Sequence, residues 1–295
     1  MAGLLQQLIE LANMARLREL AMSFGYAMLV PVGFLLAVYL LEKRAGVNVA
    51  RYRTRNFAND VVYMIFYNGG FFQVLLLAAT TNVLEARLGF LQVDFMQGVP
   101  WPVGLAIFWV VGDLITYWWH RLQHSNRFLW AFHSVHHSQE QLNLFTASRR
   151  HPVEQLMMIV LLYFFTFHLV LGIPTQGWLP LSAFVTTVVW IQHAQLDWRF
   201  GPLYRVFVSP RFHAFHHSVQ PDHANANYGH LFSIWDYLFG TAVREQPLPA
   251  RYGLMDGTDM AESIKSHLIT PFRLLWRWRR RVDPAPGTEV STDPQ

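Results

Sequence analysis

Eight histidines crowd into three short clusters, His120-x₃-His124, His133-x₂-His136-His137 and His213-x₂-His216-His217, and none occurs in the first 119 residues. Imidazole is the commonest metal ligand near neutral pH. On a helix, residues three and four apart share a face, so each cluster can aim several nitrogens at one point. Eight such ligands exceed the four that one tetrahedral zinc takes. The clusters therefore point to two metal ions.

The solvent of this chain is not water alone. Of 295 residues, 53% are hydrophobic and 14% charged, against about a quarter charged in an ordinary soluble domain. Uncharged runs over Ala21 to Leu41 and Val61 to Thr80, and one over Trp101 to Trp119 broken only by Asp113, are each close to the length that crosses a bilayer. Shorter runs, Leu156 to Leu171 and Trp178 to Ile191, flank Gly172, Pro174 and Gly177. They read as a helical hairpin that either crosses or enters and turns back. The pattern predicts an all-α, multi-pass transmembrane bundle of about four to five membrane segments, with a cytosolic helical cap carrying the clusters.

Residues 1–20 read as an amphipathic interfacial helix and 21–100 as the first membrane helices. Residues 256–282 read as a basic interfacial segment, in which Trp276, Trp278 and five arginines fall between Phe272 and Arg281. Residues 283–295 read as a disordered tail. The chain has no cysteine, which removes disulfides, iron–sulfur clusters and thiolate zinc. Its net charge of +4 comes from basic residues flanking apolar runs, a placement that suits lipid headgroups rather than nucleic acid.

Orientation follows from the loops. Lys43, Arg44, Arg51, Arg53 and Arg55 crowd the first, whereas the second has Arg87 against Glu85 and Asp94. The positive-inside rule puts the first loop in the cytoplasm, and counting crossings brings His120 and His193 to that same side. All three clusters thus share one compartment.

Asp113, Thr116, His120 and His124 form one helical stripe, which predicts that the Asp113 carboxylate supports an imidazole N–H. A turn near Ser125-Asn126-Arg127 folds the second cluster back on the first. His193, at the cytoplasmic end of the fifth apolar run, is a ninth ligand. His151, in Arg149-Arg150-His151-Pro152-Val153-Glu154, either starts a helix and supports the site or ligates. His223 and His230 bracket Asn225-Ala226-Asn227-Tyr228-Gly229 and either line the site or cap it. His168 reads as a core residue and His267 as a surface one.

These motifs resemble the three histidine boxes of the fatty acid hydroxylase / sterol desaturase superfamily. The likeness extends to Arg149 through Glu154, Asn227-Tyr228-Gly229 and Trp235-Asp236-x₂-Phe239-Gly240-Thr241, and makes residues 101–255 the catalytic domain. It implies a cytosol-facing non-haem di-iron centre that uses O₂ and electrons to hydroxylate or desaturate a lipid, whether fatty acyl, sterol or related. The implied ligands of the two iron ions are His120, His124, His133, His136, His137, His193, His213, His216 and His217. Asp113, His151, Glu154, Asn227 and Tyr228 stand behind them. Asp197 follows His193 where some relatives carry a second histidine.

No His-Pro-Gly-Gly haem motif is present, so electrons are expected from a separate cytochrome b5-, ferredoxin- or reductase-like donor. The expected setting is a bacterial inner membrane or the endoplasmic reticulum. Alkylglycerol-type ether cleavage is the runner-up activity. A histidine-based metal-handling membrane protein is the alternative from another class, but a transporter needs polar groups at the bilayer midplane. A catalytically dead scaffold is disfavoured by the intact boxes.

Overall fold

The computed structural model describes residues 14–69, 71–72, 78–91, 93, 98–160, 185–243 and 248–282. Among them helices supply the regular structure, and two isolated bridges, Phe207 with Phe232 and Ser218 with Tyr252, are the nearest approach to a sheet. The interfacial reading of residues 1–13, most of the 156–191 hairpin with His168, and the 283–295 tail lie outside the described residues.

Helix α1 runs Met14–Arg44. Residues 14–20 are continuous with the first apolar run rather than a separate helix. It ends in a Schellman turn, with Val47 N–H bonded to the Glu42 carbonyl at 2.9 Å and Gly46 at φ 76°. Glycine suits that left-handed position because it has no Cβ to clash. Helix α2, Arg55–Asn68, starts at Thr54, whose hydroxyl accepts from Phe57 N–H at 3.2 Å. It closes at Gly69, and a further helix, α3, covers Ala78–Leu88, so the run 61–80 is not one continuous helix.

Helix α4, Trp101–Ser125, begins with Pro102 in its first turn, where a missing N–H costs nothing. Its residues Pro102–Ser125 form the one helix among the described residues that is long and apolar enough, by length and composition, to cross a membrane. A single residue, Asn126, both ends α4 and caps α5, Arg127–His137, its side chain accepting from Leu129 N–H at 3.2 Å. That one-residue corner folds α5 against α4. The amphipathic helix α9, Ile264–Val282, packs against α5. His267, expected at the surface, is instead 1% exposed and stacks on Tyr63 at 5.9 Å. The amphipathic face of α9 turns it inward, which its sequence neighbours do not reveal.

The packing is organised by a buried carboxylate that the sequence reading passed over. Asp60 on α2 is fully buried and accepts from Gln139 and Asn143 side-chain amides, each at 2.6 Å, from Thr146 Oγ1 at 3.2 Å and from Arg149 Nε at 2.5 Å. Arg149 spends its remaining donors on the Asn56 carbonyl and Ser138 Oγ, at 3.0 and 3.2 Å. A buried pair of this kind is stable only because its other hydrogen bonds are also met. It locks the stretch 139–149 onto α2. Glu42 does similar work at the end of α1, pairing with Arg51 and accepting from Tyr52 OH at 2.7 Å and Gln195 N–H at 2.9 Å. It thereby fixes the chain just beyond His193.

Removing one member of the central pair strands the other charge. Asp60→Ala is expected to destabilise the detergent-solubilised protein by about 3–5 kcal/mol, read as a fall in its unfolding midpoint; a change within 1 kcal/mol or so would contradict this role for Asp60.

Candidate metal centre

The three clusters meet in the interior. Helix α4 supplies His120 and His124, α5 supplies His133, His136 and His137, and helix α7, Pro210–His216, supplies His213 and His216, with His217 as its C-cap. Ser209 and Pro210 start that seven-residue helix, the Ser209 hydroxyl accepting from Phe212 N–H at 3.1 Å. His193 follows the helical stretch 185–192.

The nine imidazoles divide into two groups. His120, His124, His133, His137 and His216 present ligand nitrogens within 4.8 Å of one another, and His136, His193, His213 and His217 do the same. The groups adjoin, with His137 and His217 stacked at 4.5 Å between ring centres. In the first group all five Nε2 atoms are buried without a hydrogen-bond partner. In the second the Nε2 atoms crowd together at 3.0 Å (His193 and His213), 3.1 Å (His213 and His217) and 3.3 Å (His136 and His193).

The other ring nitrogens explain why the Nε2 lone pairs point inward. His120 Nδ1 donates to the Tyr228 carbonyl at 2.9 Å, His193 Nδ1 to the Val189 carbonyl at 2.7 Å, and His216 Nδ1 to the Ala226 carbonyl at 2.8 Å. A carbonyl only accepts, so it fixes the proton on Nδ1 and leaves Nε2 free to ligate. His133 Nδ1 meets Glu154 Oε1 at 2.9 Å, and the same oxygen accepts from Gln123 Nε2 at 2.9 Å. Burial pushes the Glu154 carboxyl up, but His133, Arg150 and Gln123 outweigh it and hold the group below its usual range. Burial likewise pushes His193 and His216 down to about 3, which keeps both rings neutral as ligation requires.

Five and four converging imidazole nitrogens fit a metal pair. Among biological metals imidazole suits iron, zinc, copper and nickel. A five-nitrogen group exceeds the tetrahedral set that zinc prefers.

The supporting residues fall differently from one another. Tyr228 reaches His120 through its backbone carbonyl, and its ring lies edge-on to His124 at 5.3 Å. Asn227 holds the loop, donating to the Phe212 carbonyl at 2.8 Å and accepting from Val243 N–H at 2.9 Å. Asp113 touches no imidazole. It sits two turns below His120, roughly 10 Å along the axis at the α-helical rise, and accepts from Leu231 N–H, Phe232 N–H and Nε1 of Trp235 on helix α8, Ile234–Leu238, at 2.7, 2.9 and 2.9 Å. Its contribution is to pin the loop that carries Tyr228. His151 lies outside both groups: it caps helix α6, Pro152–Met158, its Nδ1 accepting from Val153 N–H at 3.1 Å and its Nε2 donating to the Leu268 carbonyl at 3.2 Å. Asp197 turns away to Arg211 and Arg199.

His223 bonds Ser218 at 2.9 Å and is no part of either group. His230 packs 5.1 Å from His120 and borders both the metal groups and an apolar cavity of about 170 Å³. Phe108, Trp109, Val185, Val189 and Trp190 line that cavity, along with Arg150. Sequence spacing singles out neither Arg150 nor Gln123, because their partners lie across the fold.

Replacing the carboxylate behind His133 tests whether orientation matters here. Glu154→Gln is expected to weaken metal binding by about 10–100-fold, measured by competition with a chelator; unchanged affinity would remove Glu154 from the site.

The fatty acid hydroxylase family model matches residues 105–241. An ornithine lipid hydroxylase of Rhizobium tropici is 32% identical over 178 residues, 58% of this chain and 52% of that protein. Human (Homo sapiens) alkylglycerol monooxygenase is 32% identical over 168 residues, covering 56% and 36%. Methylsterol monooxygenase 1 of Gallus gallus is 31% identical over 138 residues, covering 45% and 43%. The chain spans about half or less of the length of these relatives. No solved structure gives a significant match. All nine clustered histidines thus lie within residues 105–241, the region that is similar to the fatty acid hydroxylase family.

Proposed function

We propose that this chain is a membrane-bound oxygenase that holds two iron ions on its nine clustered histidines and hydroxylates a lipid. The observation that carries the reading is a pair of buried, all-imidazole groups bordering an apolar cavity. Iron bound there supplies activation of O₂, which zinc, lacking redox chemistry, does not. For hydroxylation, one oxygen atom enters a C–H bond and the other leaves as water, with two electrons and two protons from outside balancing the reaction. A separate donor supplies the electrons.

The protein's own part is positioning and exclusion. The carbonyls of Tyr228, Val189 and Ala226 hold three rings in the ligating tautomer, and Glu154 with Gln123 orients a fourth. Phe108, Trp109 and Trp190 give an acyl chain or ring system a dry slot beside the metals. Exposed Leu29, Val32, Leu36 and Leu40 on α1, with Val103 and Val110 on α4, support a lipid-facing belt and a multi-pass topology. The basic first loop supports a cytoplasmic site. Relatives named for ornithine lipid, alkylglycerol and methylsterol support a lipid substrate. Ether-lipid oxidation is the second reading, favoured by the alkylglycerol monooxygenase matches.

Purified protein supplied with O₂, a reductant and candidate lipids is expected to contain about two irons per chain and yield a product heavier by one oxygen. His136→Ala and His217→Ala are each expected to lower iron content and abolish turnover. Zinc alone in the purified protein, or turnover that survives both substitutions, would contradict the proposal.

A further inference from the structure

The main cavity and the small void among the metal ligands share Arg150, Met158, Val189 and His230. These residues form the neck between the two spaces. Arg150 is the only one with a fixed charge, and it is firmly held. Its carbonyl accepts from Tyr67 OH at 2.9 Å, and its Nε donates to the Ala147 carbonyl at 3.2 Å. Beyond that its guanidinium meets only the Met158 sulfur, at 3.6 Å. A guanidinium has five N–H donors, so most of its capacity is unspent. No carboxylate among the described residues pairs with it. Glu154, also on the void, is held by His133 and Gln123 through Oε1 and feels the Arg150 charge, but no hydrogen bond joins its Oε2 to the guanidinium. Asp113, on the cavity wall, is committed to Leu231, Phe232 and Trp235.

That placement is electrostatically awkward for the free protein. A half-buried cation beside an apolar cavity loses hydration, and here its direct partners are one carbonyl and a thioether. Beside it stand the two imidazole groups that could hold cations, with the Glu154 carboxylate behind His133. The unmet demand is for an anion with oxygen acceptors, and guanidinium matches carboxylate and phosphate in a two-pronged geometry.

Resting on the oxygenase reading above, we propose that Arg150 binds the anionic head of an acyl lipid, carboxylate or phosphate, at the neck. The apolar chain then extends into the cavity along Phe108, Trp109 and Trp190, away from the histidines. In this orientation the carbons beside the head face the metal groups, and the far end of the chain does not. The substrate is an anionic single-chain lipid entering head-first, not a neutral hydrocarbon threaded tail-first.

Trp109 and Trp190 line the cavity and report on its contents. Dibrominated stearate and its methyl ester carry the same quenching chain with and without the negative charge. Titrated at alkaline pH into the metal-loaded protein in neutral detergent, the acid is expected to quench tryptophan fluorescence at about a tenfold lower mole fraction, the scale of one charge-assisted hydrogen-bonded contact. Arg150→Gln is expected to remove that preference by weakening the acid and leaving the ester unchanged. Arg150→Lys is expected to keep part of it. Equal metal content across the three proteins establishes that the site is intact, and ester binding measures the cavity itself. Equal quenching by acid and ester in the wild type, or a preference surviving in Arg150→Gln, overturns the proposal. Inorganic phosphate is expected not to displace the acid; displacement at comparable concentration assigns Arg150 to a free anion and overturns the lipid assignment. The readout needs no turnover. A chain with two irons and no head preference sinks this inference alone, whereas zinc with an intact preference sinks the oxygenase reading alone.

Discussion

Five imidazole nitrogens buried together without a hydrogen-bond partner are the constraint around which this molecule is arranged. Buried polar atoms are nearly always paired, because leaving one unmet costs on the order of 1–3 kcal/mol. A fold that gathers five in one place, and crowds four more beside them, carries that cost only where something else completes them. Much of the described structure makes sense as the means of holding those nine rings still. The Asn126 corner sets α5 on α4. The Asp60–Arg149 pair fastens the stretch after the second cluster to α2, and Glu42 anchors the chain beyond His193.

The supports are mostly backbone. Three carbonyls and one carboxylate hold four of the rings, so the tautomers are dictated by the course of the chain as much as by side chains. This explains the weight of the loop 225–241. Asn225 and Asn227 adopt left-handed backbone at φ 55° and 57°, a conformation asparagine tolerates better than most residues. Gly229 is forced by space, since a Cβ there would lie 2.5 Å from the Phe232 carbonyl oxygen. Asp236 accepts from Tyr228 and Gly229 N–H groups at 2.8 Å each, and Asp113 secures the next turn. Two buried carboxylates thus act on His120 at one remove, by fixing the carbonyl that holds it.

The histidine clusters, the Asn126 corner and the helical character of the chain are legible in the sequence because each rests on local spacing. Three and four residues on a helix define a face, and one polar residue between two helical runs marks a corner. What spacing misses depends on partners far along the chain. Asp60 lies 79 residues from Gln139 and 89 from Arg149, and nothing near it in sequence announces a buried hub. The stripe through Asp113 is real, yet two turns of helix put its carboxylate beyond the reach of His120. His267 reads as a surface residue from its neighbours and is buried by the packing of α9 on α5. Arg150 stands beside the buried Arg149 in sequence, but the fold turns one into a structural ion pair and leaves the other at the neck of a cavity.

The central claim is that two metal ions sit on two distinct sets of imidazoles. Anomalous scattering at the iron edge, recorded from crystals of the iron-loaded protein, tests it most directly. The account predicts two peaks in each chain, one ligated by Nε2 of His120, His124, His133, His137 and His216 and the other by His136, His193, His213 and His217. A single peak, or peaks ligated by other residues, would contradict it.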